Sequence, residues 1–241
     1  MPPARAYAWG MRILLLATLA ACATSQPPPP APVAAAPAKP ERFDFKVRQD
    51  FFDGMRGDAA ALDRAQKVCE ETLAKNPNHP EALVWHGAAL TARSRDAFAK
   101  GDREKGIELY QKGIGEMDHA VELAPTSVGV RIPRGAIYLA MAHFVPESEQ
   151  AKLVKEGLSD YEATLAAQAS YFKTLTLHSR EQLLYGLTDG YAMLGDTDKA
   201  RATYERMQKE AAGSELLPRA AERAAGHQVA GNTPCEQCHS R

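Results

Sequence analysis

The chain has little of what marks a self-contained catalyst or a disulfide-stapled domain. Four cysteines in 241 residues are too few for a disulfide scaffold. Charge of neither sign is in excess: 29 Lys and Arg against 30 Asp and Glu leave a net charge of -1. That balance removes the electrostatic footprint of a nucleic-acid binder, and no block of like charge points to an ionic partner. No apolar run reaches the ~20 residues that a spanning helix needs. β-branched runs are scarce, which argues against strands. There is no G-x-S-x-G, no Walker loop, no dinucleotide fingerprint and no H-E-x-x-H. A conventional enzyme is not expected.

The first residues are present for another purpose. Arg5 and Arg12 make a positive start, Ile13 to Ala20 a short apolar stretch, and Leu19-Ala20-Ala21-Cys22 closes it. This order resembles the lipobox of bacterial lipoproteins. The resemblance implies cleavage after residue 21, a thioether-linked lipid on Cys22 and acylation of the new amine. Several acyl chains hold far better than one, so the mature chain is expected to be anchored to a membrane from the periplasmic side. Ala23, where an Asp would favour retention, points to the outer membrane. Residues 1–21 are therefore read as signal peptide, and 22–44 as lipidated Cys plus linker. From Ser25 to Lys39 the linker is almost only Pro and Ala, including Pro27 to Pro30. That composition buries no core and favours extended polyproline II, a semi-rigid spacer.

Residues 45–226 have helical composition and spacing, so the fold class is all-α. Ser179 is a candidate N-cap. Leu184, Leu187 and Tyr191 share one helical face, Leu194-Gly195-Asp196 breaks the helix, and Ala200, Tyr204 and Met207 continue on a second one. Weaker copies lie upstream. Ala65, Cys69 and Leu73 lead to Asn76-Pro77. Leu83, Gly87 and Leu90 open a pair that closes at Asp118 to Pro125, with Arg93 to Lys112 lengthening one or both helices. A third pair is expected from Arg134 to Phe144 and from Glu147 to Leu175, with Pro133 as a helix start and Pro146 as a stop. A last helix near Glu215 to Ala225 would cap the stack, with Pro218 in its first turn. The spacing resembles the tetratricopeptide repeat, TPR, with Thr188 where that family has Gly. The resemblance implies a solenoid of antiparallel helix pairs whose groove binds partner proteins. Cys69 is expected to be a buried core thiol, or else to pair with a terminal cysteine. His86, His119, His143 and His178 are read as packing or surface residues, and Trp85, Tyr110, Tyr138, Tyr161, Tyr171 and Phe172 as helix-packing residues rather than a cofactor box.

The tail, 227–241, carries the sharpest chemical signal, Cys235-Glu236-Gln237-Cys238-His239. C-x-x-C-H is the attachment pattern of c-type haem. Two thiols at that spacing reach the two vinyl groups of one porphyrin, and the adjacent His binds iron from below. A shuffled sequence of this composition would show the pattern about twice in a thousand trials. Only Ser240 and Arg241 follow in this sequence, and no cytochrome domain is expected downstream. His227, His143, His178 and Met207 are candidate second ligands, and a five-coordinate iron is the alternative. Two other chemistries stay open: a Cys235–Cys238 disulfide, and zinc held by Cys235, Cys238, His239 and His227. The whole arrangement resembles bacterial TPR proteins that end in such a segment. The expectation is a lipid-anchored TPR scaffold carrying one covalent haem c and serving an electron-transfer assembly. The alternative is a non-redox envelope-assembly lipoprotein whose tail is a zinc or disulfide clasp.

Overall fold

The computed structural model describes residues 42–227, and these are all-helical: nine α-helices and one 3-10 turn, with no strand among them. In chain order the helices are α1 (Asp44–Met55), α2 (Ala59–Lys75), α3 (Pro80–Ala99), α4 (Arg103–Leu123), α5 (Val128–Ala142), α6 (Glu147–Gln168), α7 (Leu177–Met193), α8 (Thr197–Glu210) and α9 (Leu217–Ala224), with the 3-10 turn at Phe172–Thr174. Helix α1 begins one residue ahead of the expected boundary. Phe43 is already buried, and its N–H donates to Glu81 at 3.1 Å.

Three of the turns are built alike. Gly57, Gly101 and Gly195 have φ of 111°, 82° and 73°, a region that suits glycine. Each precedes an aspartate whose side chain caps the next helix. Asp58 accepts from the N–H of Ala61 at 3.0 Å, Asp102 from Lys105 at 3.1 Å and Asp196 from Lys199 at 3.2 Å. The aspartate N–H in turn bonds five residues back, to Asp53, Ala97 and Tyr191. These are all three Gly-Asp dipeptides of the sequence, and they join α1 to α2, α3 to α4 and α7 to α8. The pair α5–α6 lacks the device and turns at Pro146, which precedes α6 as expected.

Each helix packs on its predecessor, and each odd-numbered helix also touches the next odd one: α1 on α3, α3 on α5, α5 on α7, α7 on α9. Two crossings bring backbones together without intervening side chains. A Cβ added at Gly87 would lie 2.5 Å from the carbonyl oxygen of Gly113, and one at Gly113 2.7 Å from that of Gly87. Gly135 and Gly157 repeat this between α5 and α6, each 3.1 Å from the other's carbonyl. A continuous core runs from Phe43 and Phe51 to Ala220. Phe51 meets Trp85 edge-on at 5.2 Å, an arrangement worth about 0.5–1.5 kcal/mol beyond area burial.

Several expected boundaries move. Pro133 lies inside α5, which starts five residues earlier; its ring forfeits one backbone bond but does not end the helix. Helix α6 stops at Gln168 instead of running to Leu175, and a turn and the 3-10 segment follow. Ser179 is not the cap of α7: Thr176 is, its hydroxyl accepting from the N–H of Ser179 at 3.2 Å. Thr188 is buried and donates to the carbonyl of Leu184. The glycines flanking it face α6, Gly186 beneath Tyr161 and Gly190 beneath Leu158. Tyr171 is exposed, unlike the other aromatic residues expected to pack.

Candidate functional site

Cys22, Cys235, Cys238 and His239 lie outside the described residues, as do the signal peptide and the Pro/Ala linker. What the structure places is the surface from which the tail departs.

That surface is built by α5, α7 and α9. Asp189 on α7 is buried and takes the Nε of Arg223 on α9, itself buried. The other Asp189 oxygen lies 3.4 Å from Nε2 of His143, at the end of α5. Arg223 also donates through Nη1 to the carbonyl of His227 at 3.2 Å. Arg219, one turn earlier on α9, donates to the hydroxyl of Tyr185 at 2.9 Å. So α9, only eight residues long, is fastened to α7 by two charged contacts, and the residue that starts the tail is fastened to α9. His227 is held further: its N–H bonds to the carbonyl of Glu222 at 2.9 Å, and its Nδ1 lies 2.7 Å from the Glu222 carboxylate.

The structure separates the four candidate second ligands. Met207 is 0 % exposed in the core and its sulfur is out of reach of any external group. His178 starts α7, eleven residues before Asp189, which is about 16 Å along the helix. His143 is half-buried, with Nε2 turned to Asp189. His227 is 64 % exposed.

Other polar clusters serve the fold. Asp160 on α6 is fully buried; its oxygens accept from Arg131 at 2.7 Å and from Arg134 at 2.6 and 2.9 Å. Arg134 also reaches Asp118 on α4 at 2.9 Å, and Asp118 accepts from Tyr138 at 2.5 Å. His86 is buried, with Nδ1 2.5 Å from Glu116 and Nε2 facing Glu70 at 3.6 Å. His79 caps α3: its Nδ1 accepts from the N–H of Ala82 at 3.2 Å. His-Pro-Glu-Ala at the head of an apolar helix was the available signal.

Cys69 is a buried free thiol, as expected for a core position. Burial, helped by Glu116 and Glu70, pushes its pKa from 9.0 up to about 12. The unfolded chain therefore gives up this proton near pH 9 while the folded chain keeps it. Stability is unaffected by this group below about pH 9 and falls as pH rises toward 12, by at most ~1.4 kcal/mol per pH unit. Iodoacetamide at pH 8 is expected to leave Cys69 unmodified in the native protein and to modify it fully in urea, read by peptide mass spectrometry. Native labelling of that peptide would contradict its burial.

A cavity of about 280 Å³ opens between α6 and α8, with Leu184 and Leu187 of α7 as its floor and Glu162 and Arg206 among its lining. It is small for a ligand site. Among the described residues, no three His, Cys, Asp or Glu side chains are grouped to hold a metal ion, and no helix is long and apolar enough to cross a membrane. No protein-family model matches this sequence, and no curated protein or solved structure matches it either.

Proposed function

We propose that the chain is a membrane-anchored TPR-like scaffold of the periplasm that binds protein partners and carries one covalent haem c at its C-terminus. The observation that supports the repeat reading is the recurrence of one turn, Gly then capping Asp, at three helix-pair junctions, together with odd-to-odd helix contacts along the chain. Stacked pairs of this kind form extended binding surfaces. Anchoring rests on Cys22, and the haem on Cys235, Cys238 and His239.

The two thiols would hold the porphyrin by thioethers. Each S–H adds across one vinyl group, sulfur to one carbon and hydrogen to the other, and nothing leaves. His239 would ligate the iron, and haem would supply a one-electron couple when bound.

The test is expression of the full chain with its export signal and c-type maturation enzymes, followed by a haem-stained denaturing gel and a pyridine haemochrome spectrum. A covalent haem signal is expected in the wild type and absent from Cys235→Ala with Cys238→Ala. No signal in the wild type would remove the haem and leave a zinc or disulfide clasp on an otherwise unchanged helical array.

A further inference from the structure

We infer that the outer face of α1 docks on an anionic phospholipid surface, with Phe45 at the headgroup boundary and Arg42, Lys46 and Arg48 among the headgroups. This rests on the anchoring reading above, which brings the face to a bilayer.

Helix α1 buries Val47 and Phe51 and leaves Phe45 outside, 56 % exposed. A single exposed apolar side chain is ordinary; this one is flanked by charge. The guanidinium carbon of Arg42 stands 5.0 Å from the centre of the Phe45 ring, and that of Arg48 5.2 Å. One carboxylate holds both cations there. Asp44 accepts from Nε and Nη2 of Arg42, each at 2.9 Å, and from Nη1 of Arg48 at 3.3 Å. Asp44 itself is buried, whereas the side chains of Arg42 and Arg48 reach solvent and Lys46 is exposed. The fold thus hides the acid of a mixed sequence and leaves three cations about an exposed ring. The next acids along α1 add little negative charge, because Asp50 pairs with Arg64 and Asp53 with Arg56.

An aromatic ring among cations suits the membrane interface. The ring sits at the acyl boundary, and the stems of Arg and Lys cover apolar surface while their heads stay with the headgroups. The chain as a whole carries a net charge of -1, so attraction to anionic lipid has to come from a local face such as this one. Its place in the chain adds to the argument. Arg42 lies 20 residues past Cys22, a stretch that spans at most about 60 Å even as polyproline II. A tether of that length makes docking intramolecular, and a weak patch then suffices. Among the described residues no cation stands over the rings of Phe98, Phe144 or Tyr171, which are also exposed.

The experiment uses the full lipidated chain. Flotation with phosphatidylcholine vesicles first reports the anchor. Phe45→Trp and Phe144→Trp are then compared with the wild type, which supplies the background of the native tryptophans, in vesicles whose acyl chains carry bromine near the headgroup. With phosphatidylglycerol present, Phe45→Trp is expected to lose most of its added emission. It is expected to regain that emission in phosphatidylcholine alone or in high salt, which screens the headgroups. Phe144→Trp is expected to keep its emission throughout. Lys46→Gln leaves the Asp44 contacts in place and, added to Phe45→Trp, is expected to lower the ratio of docked to undocked chains about fivefold, the worth of one cation near an anionic surface. Circular dichroism checks that each variant keeps its helices. Emission from position 45 that survives in anionic vesicles, quenching indifferent to phosphatidylglycerol and salt, or equal quenching at position 144 overturns the docking and leaves the anchor in place. A chain that does not float overturns the anchoring reading and the docking together.

Discussion

Asp160→Ala is expected to lower the stability of the helical unit by about 3–5 kcal/mol, a fall in Tm of roughly 6–20 °C. The carboxylate is fully buried and holds two guanidinium groups, those of Arg131 and Arg134. Removing it leaves Arg134 in the interior with only Asp118 at 2.9 Å and Glu156 at 3.8 Å. Both of those partners are partly solvated. The cost is that of an uncompensated buried charge, not the net worth of an ion pair. The proper control is Asp63→Ala, which breaks a pair with Arg93 at a site where Asp63 is 68 % exposed. That change is expected to cost less than about 1 kcal/mol. Urea denaturation of the two variants decides the matter. Equal midpoints would mean that the Asp160 cluster is hydrated in solution.

Gly87→Ala and Gly115→Ala are expected to shift stability in opposite directions. Alanine is the better helix former by about 1 kcal/mol at either site. At Gly115, on the open face of α4, a Cβ meets nothing within 4 Å, so the gain is realised, about 2–4 °C in Tm. At Gly87 the Cβ would lie 2.5 Å from the Gly113 carbonyl and 2.9 Å from Met117. The first of these is backbone on the facing helix, which cannot give locally, so α3 and α4 must separate. Overpacking of this kind costs 1–3 kcal/mol or more, and a net loss of about 2 kcal/mol is expected. Thermal melts monitored at 222 nm test both. A stabilised Gly87→Ala would show that the helices are not in backbone contact.

The sequence announced the class of the fold well, because helical spacing and capping residues are local. The break at Gly195-Asp196, the pair closing at Pro125, the start of α6 after Pro146 and the capping helix with Pro218 in its first turn were all legible. The recurrence of Gly-Asp at 57, 101 and 195 was equally local, yet easily passed over, because repeats of unequal length hide the period: the second and third pairs have helices of 15–22 residues. Other features were not legible. Gly113, Gly135 and Gly157 sit mid-helix, where glycine reads as a weakness until the facing backbone is known. Pro133 reads as a helix start because Val128, Gly129, Val130 and Ile132 ahead of it are weak helix formers. Of the proposed site residues, Cys235, Cys238 and His239 are singled out by spacing alone. The pairing of His227 with Glu222, five residues back across a helix end, depends on how the chain leaves α9.

Helix α9 packs mainly on α7 and α8, and α1 mainly on α2 and α3, whereas the middle helices have neighbours on both sides. In an array of this kind the ends exchange their amide hydrogens first, through openings far cheaper than global unfolding. An eight-residue helix has no stability of its own in water. Its protection therefore measures its packing on α7 and α8, including the contacts of Arg223 with Asp189 and of Arg219 with Tyr185. The consequence is a gradient of persistence along the chain, slow exchange in α3 to α6 and fast exchange at α9. The residues that follow α9 are then joined to a segment that relaxes sooner than α3 to α6.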